Sequence, residues 1–250
     1  MKIIGVIPAR YHSSRFPGKP LADICGKPMI WWVHKQLKMV AELDDVFVAT
    51  DDPRIQNVCD EYGMKTIMTS PSHKTHLDRL FEVSTKVNAD FYINVNGDEP
   101  LIEAKEIRKI IPKVIDPNSL FVANLMTELK NPLEAVDFSK IKIATDINGY
   151  GLYMARSPIP YPKGTYNFVY KKFVGVQCFT KSALEFCYKA KRGPLEAAED
   201  IDEFRFLENG QKIKFIEAEV QTLSVDTPKD LEAVNLILTN QLKQGDYVYE

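Results

Sequence analysis

Val6-Ile-Pro-Ala-Arg-Tyr-His-Ser-Ser-Arg-Phe-Pro-Gly-Lys-Pro20 is the stretch on which the reading of this chain turns. The apolar run Ile3 to Ile7 leads into it and reads as a short buried strand. That strand is expected to end at Pro8, which has no N–H to give a central ladder. The segment after Pro8 is too polar and too rich in Pro and Gly for a helix, and it carries Arg10, Arg15 and Lys19. Helical patterning resumes near Pro28. A buried first strand thus delivers a long basic loop to one edge of a sheet. In open α/β sheets, ligands sit at the carboxyl ends of strands. Gly18 permits close backbone approach, and the three cations suit a polyphosphate. The plain alternative is a solvated basic loop.

Working outward, Ile30-Trp-Trp-Val33, Leu37, Val40 and Leu43 recur at helical spacing and predict a helix over about 28–42. Trp31 and Trp32 fit core packing better than a base-stacking platform. Strands are predicted at 45–50, 65–68 and 91–95, and helices from Pro53 to about Tyr62, over 77–87 and over 103–115. Strands alternating with helices predict an α/β fold with a doubly wound, mostly parallel, Rossmann-like sheet. Beyond residue 118 the pattern is less regular. Strands are expected at 120–124, 141–145, 169–179 and 213–216, and helices at 182–189, 194–207 and from Pro228 to about Gln244. The chain reads as a single domain of two halves, 1–120 and 121–250, with an inserted mixed α+β subregion around 125–195.

At 250 residues the chain can bury a substantial core without staples. A formal net charge of −2 gives no support for a nucleic-acid or membrane-surface binder, so any basic site is local. Cys25, Cys59, Cys178 and Cys187 are scattered and form no Cys-x-x-Cys, which argues for buried apolar thiols rather than zinc. The five-residue apolar run near the N-terminus is too short for a signal-peptide core, and no stretch approaches a membrane span. A soluble, cytoplasmic protein is expected.

Asp98 comes soon after the strand at 91–95, between Gly97 and Pro100, which puts an acid at the carboxyl end of a central strand. Its plain alternative is a turn residue. Asp226 precedes the last helix, where Asp or Thr ahead of Pro is also an N-cap pattern. His12, His34, His73 and His76 show no metal-ligand spacing, and no Ser-His-Asp arrangement is indicated.

The stretch Pro8-Ala-Arg-Tyr-x-Ser-Ser-Arg-Phe-Pro-Gly-Lys-Pro-Leu21, with Gly26-Lys-Pro-Met29 after it, resembles the signature of 3-deoxy-manno-octulosonate (Kdo) cytidylyltransferases, also called CMP-Kdo synthetases. Ala49-Thr-Asp-Asp52, Gly97-Asp-Glu-Pro100, Arg156-Ser-Pro-Ile-Pro-Tyr161 and Val225-Asp-Thr-Pro228 extend the resemblance in the same order over nearly the whole chain. The resemblance implies a nucleotide-diphospho-sugar transferase fold, with a nucleotide-binding half and an acceptor half, often as a homodimer. It implies Mg2+-dependent transfer of CMP from CTP to a Kdo-like sugar acid for lipopolysaccharide or capsule synthesis. Pyrophosphate would leave by direct attack, with no covalent enzyme intermediate. On this resemblance Pro8, Ala9, Arg10, Arg15 and Lys19 cradle the triphosphate, and Thr75, Arg79 and Asn96 also bind the nucleotide. Arg10, Lys19, Asp98 and Asp226 are catalytic, the two aspartates as metal ligands.

Several positions depart from the family pattern. His-x-Ser-Gly-Thr-Asp/Glu-Arg appears as His73-Lys-Thr-His-Leu-Asp-Arg79, and Asn96 stands where Gln is usual. At the acceptor positions Arg156 is kept. Phe173 replaces His, Gln177 replaces Tyr, and Asp202 and Glu203 replace Glu and Gln. A lost donor ring and an added carboxylate predict an altered acceptor, amino- or deoxy-substituted, and poor use of unmodified Kdo.

Overall fold

The computed structural model describes residues 1–12, 16–165, 167–220 and 223–245, with Pro132 by its backbone only. The elements in chain order are β1 (Ile3–Ala9), β2 (Asp23–Ile24), β3 (Lys27–Pro28), α1 (Met29–Lys38), β4 (Asp45–Thr50), α2 (Pro53–Glu61) and β5 (Thr66–Met68). Then come α3 (His76–Lys86), β6 (Phe91–Val95), α4 (Ala104–Ile107), β7 (Val122–Glu128), β8 (Lys142–Thr145), β9 (Gly151–Ala155) and β10 (Lys171–Thr180). The chain closes with α5 (Lys181–Lys189), α6 (Pro194–Glu199), α7 (Phe204–Leu207), β11 (Lys214–Glu217) and α8 (Pro228–Gln244).

The main sheet runs β11-β7-β10-β6-β1-β4-β5, and β8 and β9 branch from β10. β1 pairs parallel with both β4 and β6, and β11 pairs parallel with β7. Only β10 opposes its neighbours on this described path, pairing antiparallel with β6 and β7. The two halves read from the sequence therefore share one sheet.

β1 shows why the sheet is buried on both faces. Ile3 and Ile7 pack into one core with Ile30, Val33 and Leu37 of α1 and Ile55 of α2. Ile4 and Val6 pack into a second core with Leu77, Leu80 and Val83 of α3 and Leu184 of α5. Strands covered on both faces read as continuous apolar runs. Between them, Gly5 lets α1 approach: a Cβ there would lie 3.1 Å from Leu43 and 3.2 Å from Leu37. A third cluster seats Val234 and Leu238 of α8 on Met29 and Trp32. Trp32 is fully buried, its indole N–H donating to the Ile24 carbonyl at 2.9 Å, so it is a core residue.

Several elements differ from the sequence expectation, four of them for a local physical reason. β1 continues through Pro8 to Ala9, because β6 pairing already stops at Val6 and only β4 lies alongside. The helix expected over 103–115 shortens to α4 and a 3-10 turn, Arg108–Ile110; Pro112 biases Ile111 to an extended backbone. The helix expected over 194–207 breaks at Asp200, which sits at φ 53 in the left-handed region. β9 was not anticipated, although Asn148-Gly149 marks the hairpin turn ahead of it, with Gly149 at φ +75.

α6 and α7 are held by a buried ion pair. Arg205 reaches both carboxylate oxygens of Glu196, which is fully buried. Removing one partner of such a pair strands a charge in the core. Glu196→Ala is expected to lower stability by about 3–5 kcal/mol in urea unfolding; a loss below about 1 kcal/mol would mean the pair behaves as a surface contact.

Candidate active site

The carboxyl ends of β1 and β6 lie side by side, and loops meet there because of small residues. A Cβ on Gly97 would come within 3.3 Å of the Pro8 carbonyl. A Cβ on Gly175 would overlap the Asn96 side chain, at 2.7 Å from Nδ2. Asn96 N–H donates to the Gly175 carbonyl at 2.7 Å, which ties the end of β6 to β10. Among the described residues, three cavities share Asn96. One, of about 360 Å³, takes in Pro8, Ala9, Arg10, Lys19 and Asp98. A second, of about 280 Å³, includes Arg10, His76, Phe173, Asp202 and Glu203. The third, also about 280 Å³, holds Asp98, Glu99, Lys172, Ser224 and Asp226.

Lys19 joins them. Its Nζ lies 2.7 Å from Asp98 Oδ2 and 3.5 Å from Asp226 Oδ1. Burial favours the neutral amine, but the charge and hydrogen bond of Asp98, then those of Asp226, outweigh it and raise the Lys19 pKa. The ammonium is kept charged. Val225 N–H donates to the Asp98 carbonyl at 2.9 Å, locking the two acid-bearing loops together. The helix-cap alternative for Asp226 is resolved one residue on: Thr227 caps α8 through a capping box with Asp230.

Asp98 and Asp226 thus offer hard carboxylate oxygens to one small cation, the donor chemistry that Mg2+ takes. No group of three or more His, Cys, Asp or Glu that could hold a metal exists among the described residues. Two carboxylates would leave the other ligand positions of such a cation to water and substrate oxygens.

The remaining expected residues are placed unevenly. Arg10 lines two of the cavities and donates to the Lys74 carbonyl at 3.2 Å. Arg15 lies outside the described residues. Thr75 is the N-cap of α3, its hydroxyl accepting from Asp78 N–H at 3.1 Å, and so serves the helix. Arg79 lines none of the three cavities. It is fully buried, 3.1 Å from Asp51 Oδ2 and donating to Thr69 Oγ1, and it braces the loops after β4 and β5.

On the acceptor side Phe173 lines two cavities. Arg156 lines none of the three: its guanidinium is spent on the carbonyls of Phe138, Glu199 and Asp200. Gln177 is also removed from the surface, 1% exposed, and sits behind the wall. Its Oε1 accepts from Asn94 Nδ2 at 2.8 Å, and its Nε2 donates to Glu203.

Two residues were missed. His76 seemed featureless from spacing, yet its ring stands in the cleft between Asp202 and Glu203. Glu99 carried no assigned role. It is 4% exposed, and burial, then the Asp98 charge, push its pKa up to about 7. The Gly97-Asp-Glu-Pro100 run was the available signal for Glu99; for His76 only its departure from the pattern pointed there.

The chain matches the family described as Cytidylyltransferase over residues 4–213. It is 39% identical over 244 residues to the Escherichia coli 3-deoxy-manno-octulosonate cytidylyltransferase, covering 98% of this chain and 99% of that one. This chain belongs to that family. The relative in Fusobacterium nucleatum is 40% identical, with 97% and 100% covered. A solved structure described as CMP:2-keto-3-deoxy-manno-octonic acid synthetase complexed with CTP superposes with a TM-score of 0.90 at 39% identity, covering 96% of this chain and all of that one. A glucose-1-phosphate thymidylyltransferase of Bacillus anthracis, described as putative and only 15% identical, shares the fold with a TM-score of 0.67. The chain is therefore a cytidylyltransferase, a transferase with an α/β nucleotidyltransferase fold.

Each charge-assisted phosphate contact contributes about 1.5–3 kcal/mol. Lys19→Ala and Arg10→Ala are each expected to reduce kcat/KM for CTP by roughly ten- to a hundredfold. Lys38→Ala, on the exposed face of α1, should leave it unchanged. Equal losses at the three positions would separate the basic loop from phosphate binding.

Proposed function

We propose that the protein transfers CMP from CTP to 3-deoxy-manno-octulosonate in a Mg2+-dependent reaction that releases pyrophosphate. The observation that carries this reading is the convergence of Asp98 and Asp226 on Lys19, where two of the cavities share Asp98. Relatives 39–40% identical over nearly their full length bear that acceptor in their names.

The chemistry is positioning and charge. An acceptor hydroxyl attacks the α-phosphorus of CTP; the new P–O bond forms as the bond to pyrophosphate breaks. Arg10 and Lys19 offset the negative charge that would otherwise repel an acidic acceptor. Lys19 stays protonated because Asp98 and Asp226 hold it so. Pro8 and Ala9 offer backbone at the cavity wall, and Asn96 stands where nucleotide and acceptor spaces join. Asp98 and Asp226 would hold Mg2+, which supplies charge neutralisation between the nucleotide phosphates and the acceptor.

The expectation of an amino-substituted acceptor rested on an uncompensated Glu203. In the fold Glu203 accepts from Gln177 and lies 3.4 Å from His76 Nε2, so its charge is met from within the protein. That removes the argument for a cationic acceptor and favours Kdo. We place the reaction in the cytoplasm, supplying lipopolysaccharide or capsule assembly. Among the described residues no helix is long and apolar enough to cross a membrane.

We also propose a homodimer. Leu133, Val136, Phe138, Tyr161, Phe168 and Val169 are all exposed. Arg156 donating to the Phe138 carbonyl and Tyr170 donating to the Pro160 carbonyl bring their segments close together. An apolar surface of this kind marks an interface. Light scattering of the purified protein should give twice the chain mass, and Val136→Asp with Phe138→Asp should halve it. A monomeric parent would remove the proposal.

Pyrophosphate release should require CTP, Kdo and Mg2+ together, and Kdo should match or exceed its amino analogue. Asp98→Asn and Asp226→Asn should each abolish turnover without altering the circular dichroism spectrum. Near-normal release by either variant at saturating Mg2+ would overturn the metal-ligand assignment.

A further inference from the structure

We propose that His76 is a positioning residue of the acceptor cavity, its ring clasping Asp202 and Glu203 into the wall that receives the sugar acid. The clasp rests on the acceptor reading made under Proposed function.

The geometry is specific. His76 opens α3, and its ring lines both the cavity of Arg10 and Lys19 and the cavity of Phe173 and Asp202. Nδ1 lies 3.0 Å from Asp202 Oδ2. Nε2 lies 3.4 Å from Glu203 Oε1 and 3.2 Å from Gln177 Oε1. An imidazole with an acceptor at each nitrogen satisfies both only as a cation. The helix N-terminus disfavours a cation there, so the two carboxylates are what hold it.

The surrounding charges make the clasp necessary. Glu203 is 3% exposed, and a carboxylate taken from water needs donors. Gln177 supplies one through Nε2 and His76 faces the same oxygen. The acids lining this cavity are Asp200, Asp202 and Glu203, and the cations are Arg10, Lys74 and His76. Arg205 is committed to Glu196 and Asp78, and Arg192 to Glu196 and Asp200. Without the imidazolium the wall would present excess negative charge to an anionic acceptor. Burial favours the neutral ring, but hydrogen bonds to Asp202 and Glu203 outweigh it and push the pKa up to about 10. The clasp is closed across the neutral range.

It also spans two sides of the cleft. Lys74, the residue before the α3 cap, accepts from Arg10, whereas Asp202 and Glu203 belong to the turn leading into α7. His76 thereby sets the acceptor wall relative to the nucleotide loop.

The test is pyrophosphate release with CTP and Kdo by the wild type, His76→Ala, His76→Gln, Glu203→Gln and the double variant His76→Ala/Glu203→Gln. His76→Ala should raise the KM for Kdo about tenfold or more, the scale of leaving a buried carboxylate short of donors. The KM for CTP should stay within about twofold. The double variant should regain most of the loss, because the buried carboxylate of Glu203 is gone and Asp202 is exposed enough for water to serve it. Equal shifts in both KM values, or a double variant no better than His76→Ala, would overturn the proposal. In parallel, the His76 imidazole signals in NMR should remain those of a cation at about pH 8, and titrate near about 6.5 in Asp202→Asn/Glu203→Gln. A wild type that releases no pyrophosphate with Kdo overturns the acceptor reading; a wild-type ring neutral at about pH 7 overturns the clasp, whatever the acceptor.

Discussion

Everything at the cleft depends on one ammonium held between two carboxylates. Lys19 comes from the loop after β1, Asp98 from the end of β6 and Asp226 from the approach to α8. None is near another in sequence, so their meeting depends on the parallel pairing of β1 with β6 and on the packing of α8 against α1. Two like charges at one point would repel. The Lys19 cation offsets that cost, and it leaves both charge types side by side at the cleft.

Local pattern carried the nucleotide half of the fold. β4 and β6 fall where period and flanking turns put them, because strands buried on both faces are unbroken apolar runs. Errors arose where one residue overruled a pattern: Pro112 cut a helix, and Asp200 split another. β10 read as extended, but nothing local revealed that it would run against its neighbours. Direction in a sheet is set by connections and by which face needs covering, and neither is written in a ten-residue window.

The site was legible in proportion to how directly a residue does its work. Lys19, Asp98 and Asp226 act by charge, and charge at a strand end is visible in a sequence. Thr75 and Arg79 matched a pattern, yet the first caps a helix and the second is sealed beneath the cleft. His76, Gln177, Asp202 and Glu203 looked like separate departures. In space they are one hydrogen-bonded group, drawn from α3, β10 and the turn before α7. A single sequence gives no sign that an added acid and an added imidazole answer each other.

The hydrogen bond from Val225 to Asp98 has a bearing on synthesis. On the ribosome a chain emerges from its N-terminus, and early segments begin to fold before late ones exist. Lys19 and the parallel strands β1, β4, β5 and β6 are all present once Val95 has been made. Asp226 arrives much later, together with the backbone link that fixes the loop bearing Asp98. A nascent or prematurely terminated chain can thus own a folded sheet and a basic loop without owning the second acid. Such a fragment would also lack the Val225 link, leaving the Asp98 loop without its backbone tie.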